Sequence, residues 1–250
     1  MFALALLAAA TPLSGEVLTY QRTDTDGSKA ERVVVYDHAP GEVWVHKSRD
    51  RCTNAAFVIG HLDPDTGQAL ELVGGRLRRD LTQEPFAWLT YEKDGNIRAR
   101  LGSPDAEPLF TVPAGPRWVL YDFDFSELIA HPPAEIAAAK DFAFDLPLLL
   151  VGREQPVFEN LGRLTLSYAG TGGEGERSYS HYVARGAPLG DKTGLFWFGP
   201  DGRLIDAIMP IPNHSEYRDF RLLLRGRATG PTAWRDTVAT HWEGCPPPAE

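Results

Sequence analysis

Most of this chain is written in short runs where apolar and polar side chains alternate, and that period rules out a helical architecture for most of its length. In a strand, successive side chains point to opposite faces, so alternation over about four to eight residues builds a sheet with one face buried. Residues 30–37 (AERVVVYD), 42–48 (EVWVHKS), 86–93 (FAWLTYEK), 96–102 (NIRARLG), 193–199 (TGLFWFG) and 203–209 (RLIDAIM) follow the pattern. They are rich in Val, Trp, Tyr and Thr and are bounded by Pro, Gly or Asp. Asp94-Gly95 and Asp201-Gly202 each join two such runs, where a two-residue hairpin turn takes positive φ at both central positions. The 24 Gly and 20 Pro fall mainly between the runs, as turn residues do in an antiparallel sheet. The fold class is therefore mainly β: a curved antiparallel sheet, half-barrel or barrel.

Two segments depart from alternation. Residues 126–140, SELIAHPPAEIAAAK, begin with a capping residue in Ser126 and end in an alanine-rich helical run, expected to pack on the sheet. Pro132 and Pro133 must interrupt or restart that helix, because proline is accepted in a first turn but not in an interior. Residues 231–243 place Trp234, Val238 and Trp242 at intervals of four, one stripe of a short C-terminal helix that docks onto the core. No tandem repeat or Pro/Ser-rich linker divides the chain, so residues 16–250 read as one β-rich domain.

The first residues, MFALALLAAATPLSG (1–15), read as an export signal. The apolar run from Phe2 to Ala10 is too short to span a bilayer, and Ala8-Ala9-Ala10 has the small-x-small pattern of a cleavage site, although no Lys or Arg precedes it. The expected location is periplasmic or secreted. Cys52 and Cys245 fit that compartment. If paired, they close most of the chain into one loop, worth about 5 kcal/mol by loop entropy; two separate buried thiols are the alternative. A formal net charge of −9 argues against nucleic acid, whose phosphates need a basic footprint. No later stretch is long and apolar enough for an integral membrane protein.

Candidate chemistry lies in three places. YDFDF (121–125) reads as a strand with Tyr121, Phe123 and Phe125 on one face and Asp122 and Asp124 on the other. DFAFDL (141–146) repeats the arrangement with Asp141 and Asp145. Side by side, the four carboxylates offer an acid/base pair for glycoside hydrolysis or a Ca²⁺ site. A solvated face is the plainer and favoured reading, since unpaired like charges repel. In IPNHSEYRDFRLLLRG (211–226), a half-buried strand carries Phe220, Leu222 and Leu224 on one face and Tyr217, Asp219, Arg221 and Arg225 on the other, preceded by a polar corner from Asn213 to Glu216 that includes His214. That corner is structural first and a binding-site rim second. The seven His show no close metal-ligand spacing, and no cofactor or phosphate-loop motif is present, so neither a metal nor a cofactor is assigned.

The order YDFDF, then F-x-F-x-L-P, then G-x-x-W/F at 194–198, then PNH…YRDFRL resembles uncharacterised exported proteins of Gram-negative bacteria known only as a domain of unknown function. The resemblance covers Tyr121 to Leu224. More distantly, the chain is similar to periplasmic lipoprotein-carrier half-barrels, which hold acyl chains in an apolar concavity covered by helices. That implies a lipid-handling role and no catalytic residues. The resulting expectation is an exported protein, more a binder than an enzyme, that takes a small apolar or amphipathic ligand in the sheet's concavity. Asn213, His214, Tyr217, Trp197 and Phe123 are the candidate contacts, with Trp44, Trp88, Trp118, Phe125, Phe196 and Phe198 as further aromatic supply. A hydrolase using the carboxylates, and an envelope assembly factor binding a protein partner, are the alternatives.

Overall fold

The computed structural model describes residues 15–150 and 156–247; residues 1–14, all but the last of the 1–15 stretch read above as an export leader, lie outside the described residues. The first eight strands form one meander: β1 (Glu16–Thr23), β2 (Glu31–Ala39), β3 (Glu42–Ser48), β4 (Ala56–Leu62), β5 (Ala69–Leu77), β6 (Gln83–Tyr91), β7 (Asn96–Leu101) and β8 (Phe110–Pro113). The second meander is β9 (Phe142–Leu150), β10 (Val157–Gly172), β11 (Tyr179–Gly186), β12 (Gly194–Phe198), β13 (Leu204–Met209) and β14 (Phe220–Thr229). Antiparallel pairing of β1 with β14 fuses them into one 14-stranded sheet that runs from β8 to β9.

The two ends of that sheet approach without forming a ladder. Asn160 Nδ2 donates to the Pro113 carbonyl at 2.9 Å, and the Phe110 and Phe158 rings meet at 6.4 Å. One parallel bridge, Trp118 to Asp145, completes the seam, so the barrel is nearly closed. The hairpins named in the sequence are present, with one correction. At Asp94-Gly95 only the glycine has positive φ (78°). The Gly95 N–H donates to Glu92 O at 3.0 Å and the Glu92 N–H to Asn96 O at 2.9 Å. This is a three-residue loop, a type I turn closed by a left-handed glycine, and Asp201-Gly202 repeats it with φ 79° at the glycine.

Alternation separates two cores. Inward residues such as Leu18, Tyr20, Val33, Val35, Val43 and Val45 face the lumen. Outward Val17, Val34, Tyr36 and Phe57 form a second cluster beneath α3 (Pro231–Ala239), which docks through Trp234 and Val238. Trp234 stacks on Tyr36 with centroids 5.4 Å apart. A Cys52–Cys245 disulfide, Cα–Cα 5.4 Å, ties the end of the chain to the loop after β3.

The segment between the meanders is a plug that occupies part of the lumen. The 126–140 stretch forms α1 (Ser126–Ala130) and α2 (Ala134–Ala137), broken at Pro132-Pro133 as expected, and it packs on the concave face of the sheet. Every residue of α1 is buried. Arg203, buried on entering β13, donates to the Ala130 carbonyl at 2.8 Å and also to Ile129 O, which satisfies the open end of that short helix. Its guanidinium is balanced by Glu16 at 2.9 Å and Asp37 at 3.3 Å.

Candidate functional site

The site begins with three inward-facing rows on adjacent strands. Each row is apolar along its length and ends in a charge: Leu18, Tyr20, Arg22 on β1; Val35, Val33, Glu31 on β2; Val43, Val45, Lys47 on β3. Period-two geometry therefore delivers two cations and a carboxylate to one end of the lumen. Arg22 and Glu31 face each other directly in the β1–β2 register and form an ion pair.

YDFDF supplies the opposing groups, but not as a strand. Tyr121–Phe123 is a 3-10 turn, and Asp124 and Phe125 both adopt left-handed backbone, φ 56° and 58°. A left-handed bulky residue is unfavourable by about 1–3 kcal/mol and persists where packing over-determines it. Here Phe125 is locked between Phe196 (5.1 Å), Tyr121 and Phe220 (both 5.5 Å). The double turn places Asp124 on Lys47 Nζ at 2.7 Å and on Arg22 Nη1 at 3.2 Å. Asn213 Nδ2 donates to the same carboxylate at 2.7 Å and to the Tyr121 carbonyl at 3.2 Å. Burial pushes the Asp124 carboxyl up, but Lys47 and Arg22 outweigh it and leave the pKa lowered to about 2. Tyr217 lies over the Arg22 guanidinium (4.4 Å) and donates to Glu31 at 3.3 Å, covering one side of this ion pair.

Beside the cluster the lumen is unfilled. A cavity of ≈ 190 Å³ lies between the plug and β3–β6. Its apolar wall is made of small or short side chains, among them Ala56, Val58, Leu72, Gly74, Ala87 and Leu89, with Leu120, Phe123 and Leu149 opposite. A bulge in the β5–β6 pairing at Gly74/Gly75 leaves Phe86 without a partner, and Phe86, 39% exposed, stands at the mouth. The polar lining includes Glu31, Lys47, Asp122 and His214. The Oδ1 atom of Asp122 and the Nε2 atom of His214 are buried without a hydrogen-bond partner. Burial raises the Asp122 carboxyl to about 7, against the opposing pull of Lys47. Burial, with Arg22 and Lys47 nearby, holds the His214 imidazole down to about 3, so it is neutral.

Some expected contacts meet here and some do not. Asn213, His214, Tyr217 and Phe123 converge on this end of the lumen: Phe123 and His214 line the cavity, while Asn213 and Tyr217 brace the charges behind it. The corner before β14 is thus a structural brace and a cavity wall at once. Trp197 is a correction. Its neighbours Phe196 and Phe198 take the inward positions, so it lies on the outer face, stacked on His181 at 5.0 Å. Of the aromatic supply, Phe123 alone lines this cavity; Trp118, Phe125, Phe196 and Phe198 are packed in the core.

The four carboxylates do not gather. Asp122 and Asp124 turn into the lumen and not onto a solvated face, because the expected strand is a tight turn. Asp141 is exposed and accepts the Tyr168 N–H at 2.8 Å. Asp145 accepts from Gly115 N at 2.7 Å and Asn160 Nδ2 at 3.2 Å, holding the seam. An acid/base pair needs a free ionised partner, and Asp124 is already engaged by Lys47, Arg22 and Asn213. Arg22, Glu31, Lys47 and Glu127 were missed in the sequence, although the first three each stand two residues beyond an inward apolar row.

No helix among the described residues is long and apolar enough to cross a membrane, and these residues contain no cluster of three or more metal-ligating side chains. No protein-family model matches the sequence, and no curated protein matches it. Among solved structures the chain is similar to a beta-barrel-like protein of domain of unknown function DUF1849 from Brucella abortus. The two share 12% identity and a TM-score of 0.46, over 87% of this chain and 98% of the other.

Proposed function

We propose that this protein is an exported binder of a small amphipathic molecule, whose apolar part occupies the cavity between the plug and β3–β6. The observation that carries the reading is the contrast inside one lumen. Its β12–β14 side is packed by Tyr121, Phe125, Phe196 and Phe220, whereas its β3–β6 side leaves ≈ 190 Å³ unfilled behind alanine, glycine and valine. Packed cores seldom hold voids much larger than a water molecule, and an engineered apolar cavity of about 150 Å³ binds benzene. The capacity here suits a short alkyl chain or a single ring. The apolar leader and the disulfide support export.

The test is a titration of 1-hexanol followed by methyl NMR of Ala56, Ala87 and Val58. Saturable shifts at these methyls are expected, and Ala87→Leu, which fills the cavity, should abolish them. Shifts that rise linearly without saturation, or that persist in Ala87→Leu, would remove the cavity as a binding site.

A further inference from the structure

The polar end of the cavity goes further and names the kind of head group, an inference that rests on the binding reading above. We infer that the cavity selects amphiphiles with an uncharged, hydrogen-bonding head, such as an alcohol or a carboxamide, over carboxylates and ammonium ions of the same tail.

Every full charge at this end is already matched. Arg22 on β1 is bonded to Glu31 on β2 and to Asp124 of the plug. Lys47 on β3 lies 2.7 Å from Asp124 and also donates to the Asp122 carbonyl. Two cations thus face two carboxylates, and Arg49, which donates to the Tyr217 hydroxyl, is paired with Glu216. Burial holds Asp122 and Glu127 of the plug, His214 from the corner before β14, and the Tyr121 and Tyr217 hydroxyls in their neutral forms at mildly acidic pH. A carboxylate entering the cavity would meet no free cation, and an ammonium ion no free anion. Either would be desolvated without compensation, which is far costlier than burying a hydroxyl that finds partners.

Among the residues that line the cavity, the buried atoms left without a partner belong to neutral groups. Asp122 Oδ1 and His214 Nε2 are both buried, both unpaired, and both belong to residues that line the cavity. A protonated carboxyl donates one hydrogen bond and accepts others, while a neutral imidazole nitrogen donates or accepts according to its tautomer. A hydroxyl or carboxamide can satisfy both at once. Orphaned buried polar atoms are the usual sign that something else, water or ligand, completes the set.

The experiment compares four probes with one tail, 1-hexanol, hexanamide, hexanoate and hexylammonium, on the wild-type protein at about pH 6, using the same alanine and valine methyls. The expected result is that the two neutral probes bind at least about tenfold more tightly than either ion, about 1.4 kcal/mol or more. Asp122→Leu should weaken hexanol at least about tenfold, whereas Asp122→Asn, which can still donate and accept, should retain it. Hexanoate or hexylammonium binding as tightly as hexanol would overturn the head-group assignment and leave the cavity reading standing. Saturation by none of the four would sink the cavity reading itself. The wild-type series decides the matter even if an Asp122 variant fails to fold.

Discussion

Replacing Glu127 by Gln should flatten the alkaline side of the stability profile. Glu127 is buried on α1, with Oε1 accepting the Leu120 N–H at 2.9 Å and Oε2 without a partner. Burial pushes its carboxyl up to about 8, although backbone hydrogen bonds from Leu120 and from Glu127 itself pull the other way. In the unfolded chain the same group titrates near about 4.3. The folded value is the higher one, so the stabilisation belongs to the protonated form. It is fully present below about pH 4.3 and is lost as the pH rises through about 8. Each pH unit inside that window removes about 1.4 kcal/mol, so the interval from about pH 6 to about pH 8 removes about 2 kcal/mol once the taper near the folded pKa is included.

Glutamine keeps the shape and the acceptor for Leu120 and cannot ionise. Urea unfolding of both proteins across that interval should therefore show the difference in unfolding free energy moving toward the variant by about 2 kcal/mol. The difference isolates Glu127, because other groups act on both proteins alike. Asp122, raised to about 7, adds a loss of the same sign as pH rises. His46 and His214, both lowered to about 3 chiefly by burial, act oppositely: their folded values are depressed, so stability falls as acid is added below about pH 6.5. Parallel profiles for the two proteins would mean that Glu127 is already ionised in the folded protein, and the account of its carboxyl as held protonated by burial would be wrong.

Asp124→Asn leaves Arg22 and Lys47 buried with one carboxylate between them, and should cost about 3–5 kcal/mol in chemical denaturation, with no gain from added salt. Gly74→Ala should raise the melting temperature slightly, by about 0.4–1 kcal/mol of stability, because the new methyl meets Ala87 Cβ at an ordinary 3.5 Å. Gly60→Ala should lower it, since the same methyl falls 2.8 Å from Val43 Cγ1 and 3.0 Å from Leu72 Cδ2. Cys52→Ala with Cys245→Ala opens a 193-residue separation and should lower stability by up to about 5 kcal/mol, with α3 becoming accessible to proteolysis first.

Much of the architecture is legible in local chemistry. Alternation marks strands because side chains in extended backbone point to opposite faces whatever the strand pairs with. The Asp-Gly hairpins, the break at Pro132-Pro133 and the Trp234/Val238 docking stripe are likewise set by residues within a few positions of one another. The inward rows that end in Arg22, Glu31 and Lys47 belong to this class too: alternation places each charge on the lumen face, and each can be read as such once the row is followed to its last member. The pairing of Cys52 with Cys245 was readable only as one of two alternatives, since proximity across 193 residues is not a local property.

What the sequence by itself could not determine is where the two meanders meet and what enters between them. YDFDF alternates as a strand does, yet left-handed backbone at Asp124 and Phe125 turns it into a plug. That conformation is unfavourable locally and is repaid only by contacts with Lys47, Arg22, Asn213, Phe196 and Phe220, all distant in the chain. The same holds for Trp197, whose sequence suits a pocket but whose neighbours occupy the inward positions. The cavity is the clearest case. It is a volume left when sheet curvature, plug position and small side chains on β4, β5 and β6 are combined, and no single segment encodes it. Local periodicity determined the faces; long-range packing decided which faces meet and where they leave room.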